Sequence, residues 1–200
     1  MKERAFAPVV ALIGSVALAA CGATAKAMVH PIGAAGQANA STSSYTGISR
    51  VSPNLHAVVG SMMVCSDSSR VTRILSATPV GETGKITVVS VRTRPNPFAA
   101  HPQLDAIGAA RGSLARMWPK SSDNVVRCAS SASDTGSEIA LEMSIATRTN
   151  AAARGWTFTV TDGQSTSSFY YPFGVILCST PSPNSAPCAA LSRAYTGTHY

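Results

Sequence analysis

The stretch "GWTFTVTDGQSTSSFYYPFGVILC" (155–178) decides the fold class of this chain. In its first arm, Trp156, Phe158 and Val160 alternate with threonines. That period of two is typical of a strand with one buried and one exposed face. The dipeptide Asp162-Gly163 follows and favours a two-residue hairpin turn, because it tolerates positive φ at both turn centres. The stretch therefore predicts a β-hairpin.

A two-residue turn would also set the register of this hairpin. It places the aromatic residues of both arms on one face, which a sandwich would bury. The predicted pairs are Thr161–Gln164, Phe158–Ser167 and Trp156–Phe169, with Tyr171 on the same face. Tyr170 lies on the opposite face, so it is the aromatic residue that we would test for ligand binding. Pro172 ends or bends the second arm, and "FGVILC" (173–178) predicts a further strand.

Upstream of the hairpin, two segments rich in β-branched residues predict more strands. "RVTRILSATPV" (70–80) and "KITVVSVRTR" (85–94) flank the turn-forming cluster "GETG", and we predict that they are adjacent strands. In the second segment, Ile86 and Val88 are predicted to lie on one face of the strand, and Val89 and Val91 on the other. Apolar residues on both faces predict a strand that is central in its sheet or covered on both sides.

The segment "EIALEMSIAT" (138–147) alternates apolar and small or polar residues, which predicts a half-buried strand. Its outward face carries Glu138 and Glu142, about 13 Å apart along a strand. We predict that both are solvated and that they do not form an acid/base pair. "NVVRCAS" (124–130) predicts a short strand, and 103–118 a crossover with at most two helical turns. Six or seven short strands predict an all-β fold, an immunoglobulin-like β-sandwich.

The beginning of the chain carries the features of a bacterial export signal. Lys2 and Arg4 precede an apolar run, Pro8–Ala20, that is too short to span a bilayer comfortably. The run ends in Leu18-Ala19-Ala20-Cys21, which resembles the lipobox of bacterial lipoproteins. The resemblance implies cleavage before Cys21, lipidation of Cys21 with palmitate-type acyl chains, and anchoring on the extracytoplasmic face of the cell membrane. The alternative is an ordinary secretory signal cut near Ala20, with Cys21 incidental.

Residues 22–49 are dominated by Ala, Ser, Thr and Gly and predict a flexible tether with an end-to-end distance on the order of 30 Å. The predicted organisation is therefore a signal peptide (1–20), a lipid-anchored tether (21–49) and a β-sandwich domain (50–200). The later half, with its hairpin and an apolar strand ending in cysteine, is similar to uncharacterised lipoproteins of high-GC Gram-positive bacteria. That resemblance implies an immunoglobulin-like domain and no established activity.

Four cysteines follow Cys21, and an even number in an exported chain favours disulfides. No pair forms a CxxC motif, so neither a thioredoxin-like site nor a zinc knuckle is supported. Cys178 and Cys188 enclose nine residues with three prolines, a loop that closes easily, and this leaves Cys65 with Cys128. We favour this pairing, and the main alternative joins Cys128 to Cys178.

The charge of the chain limits the classes of partner that it is expected to bind. Its formal net charge is +7, but only 12% of residues are charged and no block of Lys and Arg occurs. An exported protein is not expected to meet nucleic acid. We therefore predict contact with the membrane through the N-terminal lipid, and with envelope proteins or anionic wall polymers.

No catalytic motif stands out in the sequence. A nucleophile elbow, a phosphate-binding loop, an HExxH motif and an EF-hand loop are all missing. His30 and His199 lie in the predicted tether and tail, while His56 and His101 are isolated in sequence. We predict no catalytic residue, no metal site, no cofactor and no enzymatic activity.

The predicted function is a lipid-anchored, non-enzymatic binding or accessory module of the cell envelope. The alternative is an extracytoplasmic copper carrier or an envelope enzyme. Met62, Met63 and Cys65 carry the copper alternative, because thioether and thiolate ligands suit Cu(I). The opposing interpretation is that the methionines pack in the core and that Cys65 forms a disulfide.

Overall fold

The structure, a computed structural model, describes residues 28–32, 44–95, 109–128, 136–182 and 184–196. These residues form twelve strands and two helices. The strands are β1 (Val29–Pro31), β2 (Ser44–Ile48), β3 (Ala57–Ser66), β4 (Thr72–Val80), β5 (Ile86–Pro95), β6 (Ala109–Arg111), β7 (Asn124–Val125), β8 (Ser137–Ile145), β9 (Asn150–Ala153), β10 (Gly155–Thr161), β11 (Thr166–Tyr171) and β12 (Phe173–Cys178). The helices are α1 (Leu114–Met117) and α2 (Ala186–Thr196). Within the described ranges, no helix is long and apolar enough to cross a membrane.

The strands form three sheets. The first sheet has the order β1-β3-β8-β5, with β6 also paired to β3. The second sheet has the order β11-β10-β4-β7, and the third has the order β2-β12-β9. All neighbouring strands are antiparallel except β2 and β12, which are parallel.

One hydrophobic core joins the three sheets. It draws Leu141 from the first sheet, Trp156 and Phe158 from the second, and Val175 and Leu177 from the third, all fully buried. The predicted all-β, sandwich-like fold is therefore confirmed. The described residues contain more strands than the six or seven predicted, in three sheets where an immunoglobulin domain has two. Several of the additional strands span only two or three residues, too few for a period of two to reveal.

The hairpin of β10 and β11 has the predicted buried face but a different register. Phe158 lies opposite Phe169, and their rings stack with centroids 5.2 Å apart. Thr161 pairs with Thr166, so the loop holds four residues, 162–165, and the prediction of a two-residue turn was wrong. Asp162 holds this loop because its Oδ1 accepts the backbone N–H groups of Gln164 and Ser165, at 3.0 and 2.9 Å. The register moves by two residues, which keeps every side chain on its predicted face.

The strands β4 and β5 exist as predicted, but they do not pair with each other. β4 pairs with β10 and β7 in the second sheet, whereas β5 is the last strand of the first sheet. β5 is therefore not central in its sheet, and the exposure of Thr87 and Arg92 shows that it is not covered along both faces either, so both predicted alternatives were wrong. Its register shifts between Val88 and Ser90, which leaves Val89 as a bulge residue that is 46% exposed. A bulge reverses the alternation of faces, so Val88 and Val91 both pack against the core although three positions separate them.

Additional layers cover two of the three outward sheet faces. On the first sheet, α1 and the chain around it pack Leu114 and Trp118 against Val58 and Ala140. On the third sheet, α2 packs Leu191 and Tyr195 against residues of β9 and β12. No described segment packs a hydrophobic cluster on the outward face of the second sheet.

The structure contains the favoured pair of disulfides, Cys65–Cys128 and Cys178–Cys188, with Cα–Cα distances of 4.9 and 5.8 Å. The first links β3 to the chain after β7. The second links β12 to α2, a helix that sequence analysis did not predict. Cys21 and the predicted signal peptide lie outside the described residues.

The predicted boundary between tether and domain at residue 50 requires correction. β1 pairs with β3 and buries Val29, while β2 pairs with β12 and buries Ile48. Both strands lie within the predicted tether of 21–49. Short apolar segments such as "MVH" and "TGI" resemble their low-complexity surroundings in sequence and become strands because sheet edges accept their backbone hydrogen bonds.

Candidate functional site

The outward face of the first sheet holds a cluster of polar side chains beneath the segment that contains α1. We call this cluster the polar network and define it as Glu138, Glu142, Arg94, His56 and Ser90. Both glutamates belong to β8, and their residues are 0% and 6% exposed. The prediction that they are solvated was therefore wrong. They lie on the predicted face, but the crossover segment covers that face.

Glu138 binds one arginine and one backbone N–H group. Its Oε2 accepts hydrogen bonds from Nε and Nη2 of Arg94, both at 2.8 Å, and its Oε1 accepts from the N–H group of Ser61 at 2.8 Å. Ser61 is positioned by an irregularity in β3 and has a φ of 69°. The guanidinium group of Arg94 also lies over the ring of Trp118, 4.4 Å from its centroid, which favours the cation further.

Glu142 binds a histidine, a serine and the first residue of α1. Its Oε1 lies 2.5 Å from Nδ1 of His56, while its Oε2 accepts from the N–H group of Leu114 at 2.9 Å and from Oγ of Ser90 at 3.2 Å. The other ring nitrogen of His56 lies 2.9 Å from the carbonyl oxygen of Pro53. Both acceptors favour the imidazolium form, which donates from both nitrogens.

The pKa values of this pair follow from the same contacts. The hydrogen bond to Glu142 raises the pKa of His56, and partial burial opposes that shift. Burial acts to raise the pKa of Glu142, but hydrogen bonds from His56, Leu114 and Ser90 together lower it below its ordinary value. Both groups are therefore stabilised in their charged forms.

The polar network does not have the geometry of a catalytic triad. The hydroxyl group of Ser90 donates to Glu142 at 3.2 Å, so it is directed at the carboxylate. Each ring nitrogen of His56 lies within hydrogen-bond distance of a protein acceptor, so neither nitrogen is open to a nucleophile. Glu142 instead fixes the start of α1, and the N–H group of Gly112 donates to the carbonyl of His56 at 2.9 Å. The network thus anchors the crossover segment to the sheet.

Sequence reasoning missed the pairing of His56 with Glu142. The two residues are 86 positions apart, and no local motif links them. His30 was also predicted to lie in a tether, yet its Nε2 is 2.6 Å from Oδ2 of Asp67 in an exposed hydrogen bond. His101 and His199 lie outside the described residues.

The residues of the copper alternative do not assemble. Cys65 is bonded to Cys128, so it offers no thiolate, and Met62 is fully buried in the core. In the described ranges, no group of three His, Cys, Asp or Glu side chains could hold a metal ion. The disulfide therefore removes the thiolate from the proposed set of soft ligands, and burial removes the thioether of Met62.

The outward face of the second sheet is the second candidate, and we call it the hydroxyl face. Its side chains follow the strand register across β4, β10 and β11. Three rows of residues lie side by side: Thr78–Thr157–Tyr170, Ser76–Thr159–Ser168 and Arg73–Thr161–Thr166. All nine residues are exposed or partly exposed, and the Tyr170 residue is 46% exposed. Hydroxyl groups both donate and accept hydrogen bonds, so this face matches a polyhydroxylated ligand.

The predicted division of the aromatic residues agrees with this geometry. Trp156, Phe158 and Phe169 are buried and Tyr171 packs against the same core, while Tyr170 points to the opposite side. The ring of Tyr170 covers Gly155, where a side chain would collide with it. The lack of a side chain at Gly155 therefore leaves the space that the Tyr170 ring occupies on the hydroxyl face.

Comparison of the chain with family models, with curated proteins and with solved structures finds no match.

Proposed function

We propose that this protein is an exported lipoprotein, lipidated at Cys21, whose sandwich serves as a non-enzymatic binding module of the cell envelope. The observation that carries the proposal is the pair of disulfides, because disulfides persist in oxidising, extracytoplasmic compartments. The predicted export signal and the lipobox-like Leu18–Cys21 agree with that compartment. The fully engaged His56 supports a binding role over a catalytic one.

The experiment for the anchor is mass spectrometry of the intact protein purified from membranes of a bacterial host. The proposal expects a chain that begins at Cys21 and carries a diacylglycerol with one or more further acyl chains. Cys21→Ser should release the protein from the membrane fraction. An unmodified Cys21, or cleavage at another residue, would contradict the anchor. Alkylation without reductant tests the compartment separately, since the four later cysteines should resist it.

The hydroxyl face is the surface that we assign to binding, and a wall glycan is the ligand class that fits it. The face lacks a covering element among the described residues, unlike the outward faces of the first and third sheets. Its threonine and serine side chains offer hydrogen bonds at strand spacing, and the Tyr170 ring offers an apolar surface for the C–H groups of a sugar.

Co-sedimentation with isolated cell walls tests this assignment. Thr159→Val removes the central hydroxyl and retains shape and strand preference, so binding should weaken about three- to ten-fold. Thr87→Val is the matched control, because Thr87 is exposed on β5 in the first sheet and should not contribute. Equal binding by both variants and the unmodified chain would exclude the hydroxyl face as the contact surface.

A further inference from the structure

The position of β1 determines how far the folded domain can lie from a lipid at Cys21. Residues 22–28 separate that cysteine from Val29, the first residue of β1. Seven residues span at most about 25 Å when fully extended. The domain therefore has much less freedom than a tether of 28 residues would allow, and the end of the sandwich where β1 begins lies nearest to the bilayer. This inference rests on the proposed lipid anchor.

Three segments surround the start of β1, and we call them together the β1 end: residues 67–71, 126–128 and 162–165. The N–H group of Asp67 donates to the carbonyl of Met28 at 2.9 Å. The N–H group of Ser66 donates to the carbonyl of Val126 at 3.0 Å. The hairpin loop joins them through a hydrogen bond from Oγ of Ser68 to Oδ2 of Asp162, at 3.2 Å.

The β1 end exposes two apolar side chains next to two arginines. The Val71 residue is 62% exposed and the Val126 residue is 37% exposed. Thr72 pairs with Val125, so Val71 and Val126 are the next residues along the two antiparallel strands. Arg70 and Arg127 follow them outward, and both are exposed. Two neighbouring cations beside an apolar pair match the phosphate groups and the acyl boundary of a bilayer.

The carboxylates of the β1 end are occupied within the protein. Asp67 pairs with His30 at 2.6 Å. Asp162 accepts backbone hydrogen bonds from Ser165 and Gln164, which lower its pKa to about 2. Arg70 and Arg127 have no ion pair among the described residues. The cations of this end are therefore available to an external anion.

We propose that the β1 end docks on an anionic phospholipid surface, with Val71 and Val126 in the interface and Arg70 and Arg127 on lipid phosphates. The opposite end of β3, around Leu55, then points away from the bilayer. The lipid would hold the protein at the membrane, and the β1 end would set its orientation. In this orientation the hydroxyl face runs parallel to the membrane normal, where wall polymer can reach it.

Tryptophan quenching by brominated lipid tests the orientation. The chain from Cys21 onward is coupled through the Cys21 thiol to a maleimide phospholipid in vesicles of equal parts phosphatidylglycerol and brominated phosphatidylcholine. Val71→Trp should be quenched more strongly than the matched variant Leu55→Trp, which places the ring at the other end of β3. Leu55 is a suitable control because its residue is 38% exposed. Equal quenching, or stronger quenching of Leu55→Trp, would overturn the proposal.

A charge-neutralisation experiment tests the two arginines in a chain that has no lipid anchor. In the Cys21→Ser chain, Arg70→Gln with Arg127→Gln should weaken binding to the same vesicles about thirty-fold, since each arginine near an anionic surface contributes about one kilocalorie per mole. Lys85→Gln with Arg148→Gln removes the same charge at the other end and should change binding little. Equal losses in the two double variants would refute docking through the β1 end. Mass spectrometry of Cys21 decides the lipoprotein proposal independently of both results.

Discussion

Glu138 and Glu142 lie four residues apart on one strand, and each binds a different cation beneath the crossover segment. A buried carboxylate without a partner is costly, so each glutamate depends on its cation and on a backbone N–H group. The two partners of the first ion pair differ in burial, because Glu138 is fully buried whereas Arg94 is partly exposed. Replacing Glu138 removes the buried charge and leaves the guanidinium group of Arg94 without this anion beneath the crossover segment.

We expect Glu138→Gln to lower the free energy of unfolding by about 3 kcal/mol, because a buried ion pair loses one partner. Urea unfolding followed by circular dichroism, with the disulfides intact, measures the change. Arg92→Gln is the control, since Arg92 is exposed on the same face of β5 and should change stability little. Equal losses in the two variants would show that Glu138 contributes no more than a surface charge.

The pair of His56 and Glu142 predicts how stability changes with pH. The contribution of His56 is complete below its ordinary pKa of 6.5 and is lost as the pH rises through its raised folded pKa. The contribution of Glu142 is complete above its ordinary pKa of 4.5 and is lost as the pH falls through its lowered folded pKa. The pair therefore stabilises the fold most between these two ordinary values.

Urea unfolding at a series of pH values checks this expectation. The free energy of unfolding of the unmodified chain should fall as the pH rises above the ordinary His56 pKa of 6.5, because His56 loses its proton at its raised folded pKa. His56→Gln should lose that part of the pH dependence and retain the rest. The same decline in His56→Gln would assign it to other groups.

At the scale of elements, the helices and the disulfides secure segments that the sheets do not hold by themselves. α1 is a single turn, and its first N–H group donates to Glu142. α2 rests on the third sheet beside Cys178–Cys188, which closes a loop of sequence separation 10. Cys65–Cys128 closes a separation of 63. The longer loop restricts the unfolded chain more.

Replacing each disulfide by a pair of alanines separates these contributions. We expect a loss of about 4 kcal/mol for Cys65→Ala with Cys128→Ala and about 3 kcal/mol for Cys178→Ala with Cys188→Ala, from loop length alone. Midpoints of urea unfolding provide the comparison. A larger loss at Cys178–Cys188 would mean that α2 contributes packing that depends on its disulfide.

At the scale of the whole molecule, the described residues cover the outward faces of two sheets and leave that of the second sheet uncovered. Among the described residues, the crossover segment covers the first sheet and α2 covers the third, while the hydroxyl face carries its polar rows, Tyr170 and the exposed Leu75 and Val80 of β4. The first strands of the fold, β1 and β2, precede residue 50, where the composition of the chain predicted that the domain begins. The folded unit and its proposed anchor are consequently close together.

Two truncated chains test where the folded unit begins. A chain that starts at Met28 should unfold at the same urea concentration as one that starts at Cys21. A chain that starts at Arg50 loses the buried side chains of Val29 and Ile48, which should cost about 3–6 kcal/mol. Identical midpoints for all three chains would restore the predicted boundary at residue 50.

The sequence by itself determined the all-β class of the fold, the buried aromatic face of β10 and β11 and the favoured cysteine pairing. These follow from short-range rules, because a period of two and a closable loop act over a few neighbouring residues. Only the tertiary structure decided that Glu138 and Glu142 are buried, that His56 meets Glu142, and that β4 and β5 lie in different sheets. Whether a strand face is buried depends on which distant segment covers it, and alternation along the strand contains no information about that cover.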